Sequence, residues 1–193
     1  MTVAEWLLFA ALTVEFLIRV AVEIREVRMS GGRLDRFAFF RVVPVVNDIF
    51  PAEAHSPEIP AGAFVKAHEK VHAEMHHGAL RRAFQLGFAL LCALALGVAG
   101  VYLNFNLFEL LLLFHLMFSV SRLFFHGICF AEEFEADALA AKRVQRGVAI
   151  RALESLRLQE FPRTLLFAFL YRTHPTAQMR LERITGTSKK IRR

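Results

Sequence analysis

An uncharged run from Ala83 to Phe108 constrains the fold of this chain more than any other feature of its sequence. A helix needs about 20 apolar residues to cross the hydrocarbon core of a bilayer, so we expect residues 84–103 to span a membrane. The composition agrees, because 55% of the 193 residues are hydrophobic and the mean hydropathy is +0.41, whereas soluble domains are about 45–50% apolar. This composition argues against an ordinary cytosolic globule, and it excludes a disordered chain.

A second apolar stretch runs from Leu107 to Ala131, after a short turn at residues 104–106. The two stretches predict a transmembrane helical hairpin over residues 83–131. Charged side chains in the second arm indicate that this arm faces protein more than lipid. The polar interruptions in that arm are Glu109, His115, Arg122 and His126.

The N-terminal segment, residues 1–24, is also apolar and long enough to cross a membrane. Glu15 and Arg19 interrupt it, but they are four residues apart and can pair on one face of a helix. The segment has no basic n-region and no small-residue cleavage site, so we interpret it as an uncleaved anchor rather than a signal peptide. The alternative is an amphipathic helix that lies in the membrane interface.

The distribution of basic residues predicts the orientation of the chain. Residues 25–82 contain nine Lys and Arg, residues 132–193 contain thirteen, and the hairpin turn contains none. The positive-inside rule therefore places both polar regions in the cytoplasm and the N-terminus and the turn outside, in a cell inner or plasma membrane. The net charge of +6 is then explained by loops that face anionic lipid. We expect a lipid bilayer as a partner and no nucleic acid.

The segment Ala67–Glu74 reads A-H-E-K-V-H-A-E and contains an H-E-x-x-H motif. His68 and His72 are four residues apart, so they project from the same face of a helix, and two imidazoles at that spacing can bind one zinc ion. Glu69 then lies where it can take a proton from a water molecule that the ion activates. The alternative is a histidine-rich surface helix, since two more histidines follow directly.

A zinc site needs a third protein ligand, and a catalytic site leaves the fourth position to water. Gly78 stands six residues after His72, which excludes the zinc proteases that have a third histidine there. His76 can be a ligand only if the helix bends. Cys92 and Cys129 both lie in apolar stretches, which argues against a thiolate zinc site and against a disulfide framework.

An acidic cluster just beyond the predicted hairpin is the better source of a third ligand. A helical hairpin returns the chain to the side it left, so this cluster is expected beside the H-E-x-x-H helix, with Glu133 and Asp137 on one face. Carboxylates so close to a span are costly unless they are solvated or bound. A solvated helix start, with acids near the N-terminal dipole, is the alternative. The cluster comprises Glu132, Glu133, Glu135 and Asp137.

Three motifs, in this order, resemble the integral-membrane zinc metallopeptidases that include the bacterial heat-shock protease HtpX and the CAAX prenyl proteases. They are the H-E-x-x-H at 68–72, E-F-E-A-D at 133–137, and T-H-P with a following arginine at 173–180. The predicted hairpin between the first two motifs has the placement of that family, and the resemblance covers roughly residues 64–185. The chain resembles a short member of that family, because the family usually has at least two spans before the first motif and one is predicted here.

These peptidases are gluzincins, so the resemblance implies that Glu133 is the third ligand of one Zn²⁺ per chain. It implies that Asp137 orients a ligand imidazole, and that His174 and Arg180 stabilise the oxyanion formed on a peptide carbonyl. Glu69 is the base. The implied fold is a mainly α integral membrane protein in which the H-E-x-x-H helix and the glutamate-bearing helix are joined by the transmembrane hairpin.

These expectations divide one metallopeptidase domain into five segments. They are an N-terminal membrane anchor at 1–24, a cytoplasmic loop region at 25–63, a zinc-binding helix at 64–82, the transmembrane hairpin at 83–131 and a cytoplasmic C-terminal catalytic region at 132–193.

The sequence therefore predicts a membrane-embedded zinc metalloendopeptidase that hydrolyses membrane-associated or misfolded polypeptides at the cytoplasmic face. One alternative is a non-catalytic metal-binding membrane protein, such as a sensor or transport component, and another is a pseudoprotease scaffold. A transporter would not need Glu69, which distinguishes it from a peptidase. Its extra metal contacts would be His76, His77, His115 and His126.

Overall fold

The computed structural model of the protein describes residues 3–29, 38–44, 46, 62–160 and 165–186. Of these residues, 89% are helical and none lies in a strand, which confirms the predicted mainly α class. The predicted loop region at 25–63 lies mostly outside the described residues. The helices are α1 (Val3–Met29), α2 (Ala38–Val42), α3 (Ala63–Glu74), α4 (His77–Val101), α5 (Leu107–Val144), α6 (Arg146–Gln159), α7 (Leu165–Tyr171) and α8 (Ala177–Thr185).

The chain divides into two compact units. The first unit comprises Met1–Ala54 and Arg82–Phe125, and the second comprises His55–Arg81 and His126–Arg193. Helices α4 and α5 each contribute residues to both units, because each crosses a unit boundary.

Ion pairs within the first unit account for the charges that interrupt its apolar helices. Arg19 Nε donates a hydrogen bond to Glu15 Oε1 at 2.7 Å, which confirms the predicted pair on α1. His115 Nε2 on α5 lies 2.5 Å from the other Glu15 oxygen. Arg41 on α2 is buried, and its Nε donates to Glu23 Oε1 on α1 at 2.6 Å. Paired charges of this kind are tolerated where isolated ones are not.

The predicted turn between α4 and α5 is confirmed, and a helix cap explains the acid that follows it. Asn104 takes a left-handed conformation, with φ of 54°. Asn106 Oδ1 accepts hydrogen bonds from the Phe108 and Glu109 amides at 2.9 and 3.1 Å, and Glu109 Oε2 accepts one from the Asn106 amide at 2.8 Å. This reciprocal arrangement is a capping box, which satisfies amides at the start of α5 that have no partner within the helix.

Two of the described helices, α4 and α5, are long and apolar enough to cross a membrane by length and composition. In each of them only 11% of the most apolar window is buried, so most of these side chains face outwards. The core helix of a soluble protein would be mostly buried. Helix α1 is not one of the two.

The helix expected over residues 64–82 is interrupted. Helix α3 ends at Glu74, and α4 begins only at His77. Between them His76 has a φ of 56°, a left-handed conformation that a continuing α-helix cannot contain. The local pattern of hydrophobic residues does not reveal this break, because it follows a helical period on both sides.

The second unit packs around small side chains. Its core cluster combines large residues from α3, α6 and α8 with alanines that let the helices approach closely. The buried members are Phe64, Ala140, Ala141, Ala149, Leu153, Leu156, Ala177 and Leu181.

A buried carboxylate in the second unit holds the segment that carries the T-H-P motif. Glu160 Oε1 accepts a hydrogen bond from Arg172 Nη1 at 2.5 Å, and Glu160 Oε2 accepts one from the Ala177 amide at 2.7 Å. Thr176 caps α8 by accepting a hydrogen bond from the Met179 amide at 3.3 Å. The chain on both sides of His174 is therefore fixed by polar contacts.

Candidate metal centre

Three donor atoms from α3 and α5 converge in the second unit. His68 Nε2 and His72 Nε2 lie 3.1 Å apart. Each also lies close to the Glu133 carboxylate, at 3.4 Å from Oε2 and 3.3 Å from Oε1 respectively. His68 and Glu133 are buried. Among the residues that the structure describes, this is the one group of three or more His, Cys, Asp and Glu side chains that could hold a metal ion.

The spacing of these atoms fits a tetrahedral ion. Two ligand atoms about 2.0–2.1 Å from one zinc ion, at the tetrahedral angle, are about 3.4 Å from each other. The two histidine nitrogens lie 3.1 Å apart, and the Glu133 carboxylate lies 3.4 Å from His68 through Oε2 and 3.3 Å from His72 through Oε1. Two imidazole nitrogens and a carboxylate oxygen are also a common donor set of catalytic zinc sites. The residues present therefore fit a zinc ion with one position left open.

The outer nitrogen of His68 faces an acid that is itself held in place. His68 Nδ1 lies 3.0 Å from Asp137 Oδ1. Arg180 Nε and Nη2 donate a bidentate pair of hydrogen bonds to the same carboxylate, at 2.7 and 2.6 Å. All three residues are buried, with at most 5% of their surface exposed. The Asp137 carboxylate therefore fixes the His68 ring with Nε2 directed at the other two donors.

The charge around these side chains favours cations. Burial of the His68 ring disfavours its charged form, but the Asp137 and Glu133 carboxylates outweigh that effect and raise the pKa of His68 to about 9. Burial likewise opposes the charge on Arg180, and the Asp137 carboxylate more than compensates, so the pKa of Arg180 lies above its ordinary value. The negative field that stabilises a proton on His68 also stabilises a metal cation at the same place.

His77 supports His72 in the same way, and the sequence analysis did not find this role. His72 Nδ1 lies 2.8 Å from His77 Nδ1, and His77 is 3% exposed. The far nitrogen of His77, Nε2, lies 3.7 Å from Glu135 Oε2. On a continuous helix His77 would point about 140° away from His72. The break at His76 brings the two rings together.

Glu133 also has outer partners. Arg81, one turn after His77 on α4, donates from Nη2 to Glu133 Oε1 at 3.3 Å and from Nε to Glu132 Oε2 at 2.5 Å. His174 Nδ1 lies 3.1 Å from Glu133 Oε1. Glu132 is thus buried as a partner of Arg81 rather than as a member of the donor group. No local sequence signal pointed to Arg81, which is about fifty residues away from both acids.

Two of the predicted site residues are accessible. The His174 side chain is 46% exposed beside Glu133, whereas the neighbouring Pro175 is fully buried. Glu69 is exposed on α3, and its carboxylate has no partner among the described residues. The structure thus gathers His68, His72, Glu133, Asp137, His174 and Arg180, and it leaves Glu69 and His174 free to meet a substrate.

Two of the remaining histidines have contacts among the described residues that need no metal ion. His115 pairs with Glu15, as described above, and His126 Nδ1 lies 2.6 Å from the Phe169 carbonyl oxygen. His76 is exposed at the helix break.

Comparison with known proteins decides the family. The family model described as Peptidase family M48 matches residues 58–188, about two thirds of the chain. The chain belongs to Peptidase family M48. This is the family that contains HtpX and the CAAX prenyl protease, so the resemblance drawn from the three motifs is confirmed. No curated protein and no solved structure matches the chain.

Membership of this M48 family makes the protein a metallopeptidase, and its substrates are therefore polypeptides. Peptidases of the family are typically metal-dependent, and in this chain His68, His72 and Glu133 form a group that could hold a metal ion. Membership also argues against a sensor or transport component, because such a protein has no need of a peptidase centre.

The contact between His72 and His77 carries a prediction. His77→Leu removes the group that holds the His72 ring, and outer partners of this kind are worth about 10- to 100-fold in metal affinity. We expect the zinc dissociation constant, measured by competition with a chromogenic chelator, to rise by about that factor. His76→Asn is the matched control, because the adjacent histidine is exposed and asparagine tolerates its left-handed backbone. Equal zinc affinity in His77→Leu and the wild type would contradict the role.

Proposed function

We propose that the protein is a membrane-embedded zinc metalloendopeptidase that cleaves membrane-associated or misfolded polypeptides at the cytoplasmic face. The observation that carries the proposal is the convergence of two imidazoles on one carboxylate. His68 Nε2 and His72 Nε2 lie 3.1 Å apart, and they lie 3.4 Å from Glu133 Oε2 and 3.3 Å from Glu133 Oε1 respectively. Each of these three side chains also has its own outer partner. Such support is typical of metal ligands and unnecessary for a solvated histidine-rich surface.

Zinc bound by the three donors would polarise the scissile carbonyl and lower the pKa of a water molecule to about 7. Glu69 follows the ligand His68 directly, is exposed and has no competing partner among the described residues. We assign it the role of general base that takes the proton of the attacking water and then delivers it to the leaving amine.

His174 and Arg180 contribute to the same step in different ways. His174 is half exposed beside Glu133, so it can donate a hydrogen bond to the carbonyl oxygen as that oxygen becomes negatively charged. Arg180 is buried, and its Nε and Nη2 both donate hydrogen bonds to the Asp137 carboxylate. Its Nη1 lies 4.0 Å from Glu133 Oε2. We therefore assign Arg180 mainly to holding Asp137, and through it His68, and to adding positive charge near the oxyanion.

The outward apolar faces of α4 and α5 support a membrane location, and M48 peptidases are often membrane-bound. An exposed apolar surface of this length is costly in water and stable in hydrocarbon. The nine basic residues in 25–82 and the thirteen in 132–193 favour the cytoplasm for both regions. The N-terminal segment, with its paired Glu15 and Arg19, is then an anchor with its N-terminus outside.

The proposal is tested on the full chain purified in a mild detergent. We expect about one zinc per chain by elemental analysis and hydrolysis of a fluorescently labelled, reduced and alkylated α-lactalbumin, which stands for an unfolded polypeptide. 1,10-Phenanthroline should abolish hydrolysis and added Zn²⁺ should restore it, whereas the non-chelating 1,7-phenanthroline is the control. Zinc binding without hydrolysis of any labelled polypeptide, or hydrolysis that survives chelation, would contradict the proposal.

A further inference from the structure

An open cavity of about 410 Å³ lies in the second unit on a different face of α5 from the metal site. Phe134 and Ala138 line it, and each is one residue after a site residue, Glu133 and Asp137. One residue along a helix turns the side chain by about 100°, so the two faces are distinct. Ile184, just before the end of α8, completes the apolar part of the lining.

Three cationic side chains surround this apolar lining without acidic partners. Lys142, Arg146 and Arg183 all line the cavity and are exposed. Arg146 Nη2 donates to the Ile184 carbonyl oxygen at 2.7 Å, and the Arg183 guanidinium carbon lies 6.0 Å from the centre of the Phe134 ring. None of the three pairs with a carboxylate of a described residue.

The neighbouring basic residues of the second unit differ in this respect. Arg143, next to Lys142, pairs with Glu74 at 2.5 Å. Arg81, Arg172 and Arg180 pair with Glu132, Glu160 and Asp137. Three basic side chains without a carboxylate partner among the described residues therefore lie around one cavity, whereas others, such as Lys66 and Arg151, lie outside its lining. The combined positive charge of the three favours a negatively charged ligand in the cavity.

A cavity with an apolar floor and a positively charged rim suits an amphiphilic ligand, one that has both an apolar part and a negatively charged group. Arginine and lysine bind phosphate oxygens through charge-assisted hydrogen bonds. Apolar side chains make no favourable contact with a free phosphate ion, so the apolar floor indicates a ligand that also has an apolar part. The position along α5 agrees. At 1.5 Å per residue, Phe134 lies about 5 Å and Lys142 about 16 Å beyond Ala131, the predicted end of the span. This interval begins in the headgroup layer, which is roughly 5–8 Å thick on each side, and long basic side chains reach back into it.

We propose that this cavity binds an anionic phospholipid of the cytoplasmic leaflet, with its phosphate between Lys142, Arg146 and Arg183 and its glycerol and upper acyl chains against Phe134, Ala138 and Ile184. The inference rests on the proposed membrane location and does not depend on peptidase activity. It gives three of the basic residues after the hairpin a specific role in lipid binding, in addition to a general attraction to the anionic membrane surface.

The test is native mass spectrometry of the full chain in detergent, with an equimolar mixture of dioctanoyl phosphatidylglycerol and dioctanoyl phosphatidylcholine. We expect the wild type to retain one phosphatidylglycerol with at least about tenfold preference, because basic residues attract anionic headgroups. The triple variant Lys142→Gln, Arg146→Gln, Arg183→Gln should lose that preference. The control triple variant Lys66→Gln, Arg151→Gln, Arg157→Gln removes the same charge from exposed positions outside the cavity lining, and it should keep the preference.

A variant without a charge change covers the possibility that the triple variant unfolds. Ala138→Phe fills the apolar floor and should also abolish retention of phosphatidylglycerol, with an unchanged melting temperature and zinc content. Equal loss in the control triple variant would overturn the proposal in favour of non-specific electrostatics. Displacement of the lipid by millimolar inorganic phosphate or by a glutamate-rich peptide would overturn it in favour of those ligands.

Flotation of the protein with lipid vesicles distinguishes failure of this proposal from failure of the membrane location on which it rests. If wild type and the cavity variants all float with phosphatidylcholine vesicles and none prefers phosphatidylglycerol, the lipid site is wrong and the membrane location stands. If the wild type does not float with any vesicle, the membrane location is wrong and the lipid site falls with it.

Discussion

Replacement of Glu69 by glutamine should abolish peptide hydrolysis and leave the metal in place. Glutamine keeps the size of the side chain but cannot accept a proton, and general acid–base groups contribute about 10²- to 10⁴-fold to rate. An undisturbed metal site is expected because the Glu69 side chain is exposed, and no hydrogen bond or ion pair of the described residues joins its carboxylate to His68, His72 or Glu133. We expect kcat on labelled α-lactalbumin to fall by about that factor, with zinc per chain unchanged.

Glu74→Gln is the matched control for this experiment. It is the same substitution on the same helix, at an exposed acid that pairs with Arg143 on the surface. We expect it to leave kcat and zinc content unchanged. A Glu69→Gln enzyme with wild-type kcat would contradict the assignment of Glu69 as the base and would require another proton acceptor near Glu133.

Substitution of Glu133 by alanine should empty the metal site. The apparent binding free energy of a four-ligand zinc site is about 10–16 kcal/mol, so one ligand contributes about 3 kcal/mol, or more than about 100-fold in affinity. Glu133 is 1% exposed, and its Oε2 and Oε1 lie 3.4 and 3.3 Å from the ligand nitrogens of His68 and His72, so its truncation removes the carboxylate that both histidines face. We expect zinc per chain to fall from about one to near zero after dialysis, with hydrolysis lost as well.

Glu154→Ala is the control, since this glutamate lies exposed on α6 and makes no contact with the donor group. The far-ultraviolet circular dichroism of both variants should match the wild type, which separates loss of a ligand from loss of the fold. Zinc retained at one per chain in a folded Glu133→Ala variant would place the third ligand elsewhere, for example at Glu132 or Glu135.

Local periodicity explains why much of the fold was predictable. The class, the turn at 104–106 and the shared face of His68 and His72 all depend on residues at most a few positions apart, where helix geometry and capping act. The pair of Glu15 and Arg19 belongs to the same category. The three motifs also sufficed to identify the family, because metal ligation and peptide hydrolysis need particular residues at set spacings.

The sequence by itself thus determined a mainly α chain with two apolar helices, an H-E-x-x-H helix and the family. Only the tertiary structure decided that Glu133, rather than Glu132 or Glu135, meets both histidines and that His77 supports His72. The contact of Arg81 with Glu133 and the cationic cavity beside Phe134 were likewise decided only by the tertiary structure. These contacts join different helices, or residues on both sides of a left-handed break. The packing of helices against one another decides which of these side chains meet, and the periodicity of hydrophobic residues along one helix does not reveal it.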